Sequence, residues 1–184
     1  MAKRQGRSEP LNRAKVRTAL VKAPSLQFSG IVARCAFEKY RATATSPLGA
    51  ARRGGRYTPI GTNALYTSIK RTTAFSEFTQ YYTDDDPLPV TCVFTLMVFA
   101  RRMVDLTDPA IVAALGTTPE ELCGLRIPGR PFFAQTIGDV ANGLGIHALL
   151  VWSAQEPAEK NLVVLADNAP PMTATCLVVT ALKA

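Results

Sequence analysis

The residues that could carry chemistry are concentrated between Tyr40 and Glu77. Glu77 lies between Phe75 and Phe78 in a predicted helix, and Arg41 follows an apolar stretch that predicts a strand. A carboxylate held near a reacting group can stabilise positive charge that develops in a transition state, and a guanidinium is suited to phosphate groups. On these residues alone, a catalytic carboxylate and a solvated helix charge are equally good interpretations of Glu77.

Widely shared catalytic motifs are absent from the sequence. It contains neither a Walker-type phosphate loop nor a Gly-x-Gly-x-x-Gly turn. The single histidine, His147, has no aspartate or serine beside it, which argues against a hydrolase triad and favours a core or near-core residue. Three successive carboxylates, Asp84–Asp86, do not converge on one ion in a regular helix or strand, so we interpret them as a solvated loop.

The cysteines also give no indication of a metal site. Zinc sites use ligand pairs at short spacing, and the four cysteines lie far apart in the sequence. Cys35, Cys92 and Cys176 each lie among apolar or β-branched residues, which is typical of buried, reduced thiols. Reduced cysteines favour a cytoplasmic location, and we expect no bound metal.

Several short segments together resemble the RES-domain family, which is named for its Arg, Glu and Ser. The resemblance covers about residues 38–166, and its order and spacing make it more specific than any single piece. The matching segments are Tyr40-Arg41, Gly54-Gly55-Arg56-Tyr57-Thr58-Pro59-Ile60-Gly61, Leu65-Tyr66-Thr67-Ser68, Ala74-Phe75-Ser76-Glu77, Trp152-Ser153-Ala154 and Asn161-Leu162. Two departures are Tyr57-Thr58 where the family has Trp-Asn, and Trp152 where it has Pro.

The resemblance implies a fold like that of ADP-ribosyltransferases and a role as the toxin of a bacterial toxin–antitoxin pair. Such proteins consume NAD as a substrate by hydrolysis, phosphorolysis or ADP-ribosyl transfer, without a metal. They are neutralised by an antitoxin with an Xre-like helix-turn-helix. Because this sequence has no antitoxin-like segment, we expect the antitoxin to be a separate chain.

The resemblance also implies a set of site residues. Glu77, Arg41 and Ser153 would be catalytic, with Glu77 stabilising the ribosyl cation that forms when nicotinamide leaves. Ser153 would bond a ribose or phosphate oxygen. NAD would be bound by two arginines, two tyrosines and two serines: Arg41, Arg56, Tyr57, Tyr66, Ser68 and Ser153. The arginines and the glycine-loop amides suit phosphate, and either tyrosine suits the flat nicotinamide ring.

The elements that must position these residues alternate between short strands and helices, which predicts a single α+β domain. With the resemblance, this becomes an ADP-ribosyltransferase-like split β-sheet core with flanking helices. The predicted strands are Ile31–Thr43, Ala64–Ser68, Val90–Ala100, Met103–Leu106, His147–Trp152, Asn161–Leu165 and Ala174–Leu182. The predicted helices are Leu11–Lys22, Lys70–Tyr82, Pro109–Leu115, a turn from Thr118 and Phe132–Leu144, with Ser46–Asn63 as a long loop.

The positive charge of the chain belongs to its first residues. Residues 1–24 carry seven basic residues and one acidic residue, whereas residues 25–184 have a net charge of only +1. We therefore divide the chain into a basic N-terminal arm, 1–24, and a RES-like NAD-binding catalytic domain, 25–184. The arm is interpreted as a solvated tail or a partner contact.

Two further expectations concern the membrane and an alternative function. The longest nearly apolar run, Leu88–Ala100, is too short to span a bilayer, and the N-terminus lacks a secretory signal. The alternative is a non-catalytic NAD-binding, or protein- or nucleic-acid-binding, module that uses the basic arm. The sequence leaves open the acceptor, which could be water, phosphate or a protein, and whether the chain forms a homo-oligomer.

Overall fold

The computed structural model describes residues 12–80, 82, 90–124 and 133–180, except for the side chains of 173–180. The helices in these ranges are α1 (Arg13–Lys22), α2 (Leu48–Arg53), α3 (Arg71–Thr79), α4 (Pro109–Leu115), α5 (Pro119–Cys123) and α6 (Phe133–Gly143), with a 3₁₀ helix at Glu38–Thr43. The strands are β1 (Leu26–Phe37), β2 (Ala64–Ser68), β3 (Thr91–Asp105), β4 (Ala148–Trp152), β5 (Lys160–Leu165) and β6 (Thr173–Thr180).

The strands form two antiparallel groups that meet along the long strand β3. One group is β1–β3–β6, and the other is β2–β5–β4. β3 runs parallel to β4 for three residue pairs, whereas β1 and β2 pair only at Ala33 and Ser68. β1 and β2 therefore separate beyond that pair, and a cavity opens where they diverge. This split sheet with flanking helices confirms the predicted α+β fold.

Two apolar cores hold these layers together. The larger core packs the helices against the sheet and includes Leu20, Leu115, Ile137 and Leu149, all at most 4% exposed. The second core fills the space between the strands of the split sheet, with Phe94 and residues of similar burial from β1, β2 and β5. Burial of this apolar area is the main source of stability, and it fixes the strand ends that border the cavity.

Two predicted strands have different limits in the structure. Ile31–Thr43 was predicted as one strand, but β1 ends at Phe37 and residues 38–43 form the 3₁₀ helix. In the part of the chain that the structure describes, the last residue pair of the β1–β3 ladder joins Phe37 to Thr91, the first residue of β3. Conversely, the predicted break between the strands at 101–102 is absent. β1 pairs with β3 on both sides of that point, and β4 pairs with β3 from Met103 to Asp105.

Part of the basic arm belongs to the folded domain. In α1, Val16, Ala19 and Leu20 are buried against the helical core, and Arg13 forms an ion pair with Asp139 of α6. The interpretation of 1–24 as a solvated tail is therefore wrong for this helix, because its apolar side chains alternate with the basic ones at helical spacing. Residues 1–11 lie outside the described residues.

Within the described ranges, no helix is both long and apolar enough to cross a membrane. No three His, Cys, Asp or Glu side chains in the same ranges are placed to hold a metal ion. Asp84–Asp86 fall outside the described residues. Cys35 and Cys123 are free, partly buried thiols, Cys92 is buried, and the side chain of Cys176 is not among those described.

A close backbone approach between α6 and the glycine-rich loop, residues 54–61, gives the first prediction. A Cβ atom at Gly138 would lie 1.6 Å from the carbonyl oxygen of Tyr57, a clash with backbone that no rotamer change can relieve. We expect Gly138→Ala to destabilise the protein by about 1–3 kcal/mol, lowering the Tm by about 2–4 °C for each kcal/mol. Thermal unfolding measures this, with Gly143→Ala as control because a Cβ added there would meet no atom within 4 Å. Equal Tm values for the two variants would contradict the packing argument.

Candidate active site

A cavity of about 900 Å³ lies where β1 and β2 diverge. Its walls come from the end of β1, the glycine-rich loop, β2, the strands β4 and β5, and helix α3. This volume falls within the range of small-molecule and cofactor sites. The cavity therefore has room for a ligand the size of a dinucleotide.

Glu77 lines the cavity and is held by three hydrogen bonds to one oxygen. Its Oε1 accepts from the Ser153 hydroxyl at 2.6 Å, the Ala154 amide at 3.0 Å and the Asn161 side-chain nitrogen at 2.8 Å. Its Oε2 accepts only from the exposed Gln80 side chain, at 3.2 Å, among the described residues. The carboxylate is thus fixed in position while one oxygen keeps the capacity to accept from a ligand.

Ser153 positions Glu77 from a tight turn after β4. Its side chain is fully buried, and its hydroxyl oxygen accepts from the amides of Gln155 and Glu156, at 3.2 and 3.1 Å, while donating to Glu77. The prediction that this hydroxyl bonds a ribose or phosphate oxygen is not supported by its surroundings, since its hydrogen-bonding capacity is already used. The turn forms although Trp152 occupies the usual proline position.

Asn161 is a site residue that the sequence analysis did not select. It lies on β5, opposite Ser68 of β2 and Val151 of β4, and it lines the cavity. Its nitrogen donates to Glu77, while its buried Oδ1 has no hydrogen-bond partner among the residues that the structure describes. A buried acceptor without a donor is costly. The family resemblance included this asparagine, so the sequence did contain a signal for it. Only the register of β5 with its neighbouring strands shows that its side chain reaches Glu77.

Further polar contacts fasten α3, the helix of Glu77, to the β4–β5 turn. The carboxylate of Glu156 accepts from Thr73 at 2.8 Å and from Ser76 at 2.5 Å. These two hydroxyl donors hold the pKa of Glu156 below its usual value. Lys70, just before α3, pairs with Glu159 at 2.5 Å. The position of Glu77 is therefore set by the turn on which Ser153 lies.

Of the two arginines Arg34 and Arg41, the structure places Arg34 in the cavity. Arg34 lies on β1, and burial lowers the pKa of its guanidinium. It donates weakly to the Ser46 carbonyl at 3.4 Å and forms no ion pair with a described residue. Arg41 is exposed on the 3₁₀ helix and does not line the cavity. Arg41 was assigned from the family resemblance, on the segment Tyr40-Arg41 at the end of a strand predicted to reach Thr43, and β1 ends before that segment.

The glycine-rich loop is mostly occupied with its own hydrogen bonds. The amides of Gly54 and Gly55 donate to Ala50 and Thr58, and the amide of Tyr57 donates to the Tyr66 hydroxyl. A Cβ at Gly55 would lie 2.2 Å from that hydroxyl, so glycine is required there. The prediction that these loop amides bind phosphate is therefore wrong for these three amides.

The two predicted tyrosines have different positions. Tyr57 borders the cavity, but its side chain is 1% exposed, belongs to the larger core and donates to the Leu122 carbonyl at 3.4 Å. Its ring therefore serves packing and cannot receive a nicotinamide. Tyr66 lines the cavity on β2, with its hydroxyl also bonded to Thr58 at 2.9 Å, and burial raises its pKa. Arg56 and Ser68 line the cavity as well.

The sequence as a whole, rather than any single segment, identifies the protein family. It matches the family model for the RES domain over residues 31–182. The chain belongs to the RES-domain family. This match includes Arg34, Glu77, Ser153 and Asn161, so the residues around the cavity all lie inside the RES domain.

Solved structures give an independent comparison for this RES-domain protein. It is similar to a chain in the crystal structure of the M. tuberculosis MbcT–MbcA toxin–antitoxin complex, with a TM-score of 0.70 and 20% sequence identity. The match covers 89% of this chain and 92% of that chain. At this identity, the likeness shows a shared fold. A search of curated protein sequences gave no match.

The role of Ser153 in this RES-domain protein gives the second prediction. Ser153→Ala removes one donor to Glu77 and the acceptor of two turn amides, so Glu77 loses its fixed position. For a reaction that uses the Glu77 carboxylate, we expect kcat to fall on the order of tenfold or more, while KM changes little. Steady-state kinetics with the substrate proposed below measures both constants. A rise in KM with unchanged kcat would instead indicate a direct substrate contact.

Proposed function

We propose that this RES-domain protein binds NAD and cleaves its nicotinamide–ribose bond. The observation that carries the proposal is the Glu77 carboxylate, held by Ser153, Ala154 and Asn161 at the wall of a dinucleotide-sized cavity. A fixed carboxylate with one available oxygen suits a reaction that develops positive charge on a sugar. Arg34 supplies a cation for the pyrophosphate in the same cavity.

In the proposed reaction, the C–N bond breaks and nicotinamide leaves with its electron pair. The ribosyl carbon becomes an oxocarbenium-like cation, which the negative charge of Glu77 stabilises. Glu77 Oε2 also accepts from a ribose hydroxyl, a bond that strengthens as the ring becomes positive. An acceptor oxygen, from water, phosphate or another molecule, then bonds to that carbon and loses its proton.

Arg34 is suited to hold the substrate for this step. Its guanidinium has lost part of its hydration by burial and has no carboxylate partner among the described residues. A pyrophosphate would restore the lost interactions with bidentate, charge-assisted hydrogen bonds. Arg56 and Ser68 line the same cavity and are proposed as further NAD contacts.

We propose further that the protein acts in the cytoplasm as a toxin and is neutralised by a separate antitoxin chain with an Xre-like helix-turn-helix. The family resemblance supports this, as does the fold shared with a chain of a toxin–antitoxin complex. Induced expression in bacteria should arrest growth and deplete NAD, and an encoded neighbour that binds the protein should prevent both. Growth arrest without loss of NAD would separate the toxin role from the proposed chemistry.

The test of the reaction is nicotinamide release from NAD by the purified protein, free of any partner and with and without phosphate. Release that needs phosphate identifies phosphate as the acceptor, and release without it identifies water. If folded protein releases no nicotinamide in either buffer, the proposed glycohydrolase and phosphorylase activities are wrong. Transfer to a specific protein acceptor or a binding module would then remain.

A further inference from the structure

Four aromatic side chains converge at one wall of the cavity: Phe37, Tyr40, Phe78 and Tyr82. The ring of Phe37 is central, with ring centroids 5.0 Å from Phe78, 5.9 Å from Tyr82 and 6.4 Å from Tyr40. Phe78 and Tyr82 are stacked at 5.7 Å. The end of β1, the 3₁₀ helix and the segment around the end of α3 all contribute to this aromatic wall.

Solvent reaches part of this wall. Tyr40 is 50% exposed, and the other three rings are only partly buried. The ammonium of Lys39 lies 5.2 Å from the Tyr40 ring centre and 5.6 Å from that of Phe37. Several aromatic rings left partly exposed at a cavity, close to a cation, suit a planar ligand that also carries negative charge.

The other aromatic residues of the glycine-rich loop and β2 are less suited to this role. Tyr57 is buried in the core, and the Tyr66 hydroxyl is held by Thr58 and the Tyr57 amide. A dinucleotide nevertheless has two flat rings that need apolar surfaces. Phe78 follows Glu77 on α3 and both residues line the cavity, so the aromatic wall and the proposed catalytic carboxylate belong to the same site.

We propose that the aromatic wall of Phe37, Tyr40, Phe78 and Tyr82 binds a heteroaromatic ring of the dinucleotide by stacking. This inference rests on the proposed function and specifies how that site recognises its substrate. The ring is either the adenine or the nicotinamide of NAD. Both present the same flat, polarisable face to the wall, and fragment binding distinguishes them.

Tyr40 is the residue to change, because its half-exposed ring can be removed with little effect on folding. We expect Tyr40→Ala to weaken binding of NAD about tenfold, by analogy with the loss of one base–aromatic stack. Tyr40→Phe keeps the ring and should bind as the wild type does. Phe99→Ala is the matched control, because Phe99 is 54% exposed on β3 and does not line the cavity.

Calorimetric titration with ADP-ribose and with nicotinamide tests the wall without requiring turnover. Weaker binding of ADP-ribose alone by Tyr40→Ala assigns the wall to adenine, and weaker binding of nicotinamide alone assigns it to that ring. Unchanged binding of both fragments and of NAD would overturn the proposal, as would an equal loss in Phe99→Ala. Wild-type protein that binds ADP-ribose but releases no nicotinamide would contradict only the proposed reaction. The comparison of Tyr40→Ala with the wild type would still support or overturn the aromatic wall.

Discussion

We expect replacement of Glu77 by glutamine to lower kcat for the proposed nicotinamide release by about 10²–10³-fold, the loss typical of removing one preorganised electrostatic contact. Glutamine has nearly the same shape, and its carbonyl oxygen can still accept from Ser153, Ala154 and Asn161. The variant therefore keeps the turn and the helix in place while the negative charge disappears. NAD affinity should change only a few-fold, because the charge is needed mainly in the transition state.

The measurement is a comparison of initial rates and of NAD dissociation constants for wild type and variant. Glu120→Gln is the control, because this glutamate is exposed on α5 and does not line the cavity. Its rate should equal that of the wild type. If Glu77→Gln keeps full turnover, the carboxylate has no catalytic role and the proposed mechanism is wrong.

We expect replacement of Arg34 by alanine to weaken the use of NAD, the proposed substrate, mainly by raising KM. A charge-assisted hydrogen bond to phosphate contributes about 1.5–3 kcal/mol, which corresponds to a fall in kcat/KM of about 10- to 150-fold. Arg34→Lys should recover only part of this, because lysine keeps the charge but cannot form the bidentate pair. Unfolding stability should change little, since the partly buried guanidinium has no ion pair among the described residues to lose.

Arg41→Ala is the matched test for Arg34, since the sequence pattern selected Arg41 and the structure places Arg34 in the cavity. Arg41 is exposed on the 3₁₀ helix, so its removal should leave kcat/KM within about twofold of the wild type, as for most surface substitutions. Steady-state kinetics on both variants decides between the residues. A large loss in Arg41→Ala with none in Arg34→Ala would restore the assignment made from sequence.

Local sequence patterns were sufficient to predict those elements whose determining interactions are close in sequence. Asp108 and Thr118, each followed by proline at the first helical position, begin α4 and α5 as predicted, because a cap needs only its own next few residues. Alternating short strands and helices predicted the α+β class. Glu77 was selected by the family resemblance, because local patterns left a catalytic carboxylate and a solvated helix charge equally open, and its catalytic role stays a prediction.

Strand limits and side-chain contacts that depend on residues distant in sequence could be determined only from the tertiary structure. β1 ends at Phe37 because β3 begins at Thr91, and this placed Arg34 rather than Arg41 in the cavity. Strand register brought Asn161, 84 residues away, to the Glu77 carboxylate. Packing also turned Tyr57 into the core. Periodicity along the chain carries information about which face is apolar, but not about where a partner strand stops or which side chains it brings together.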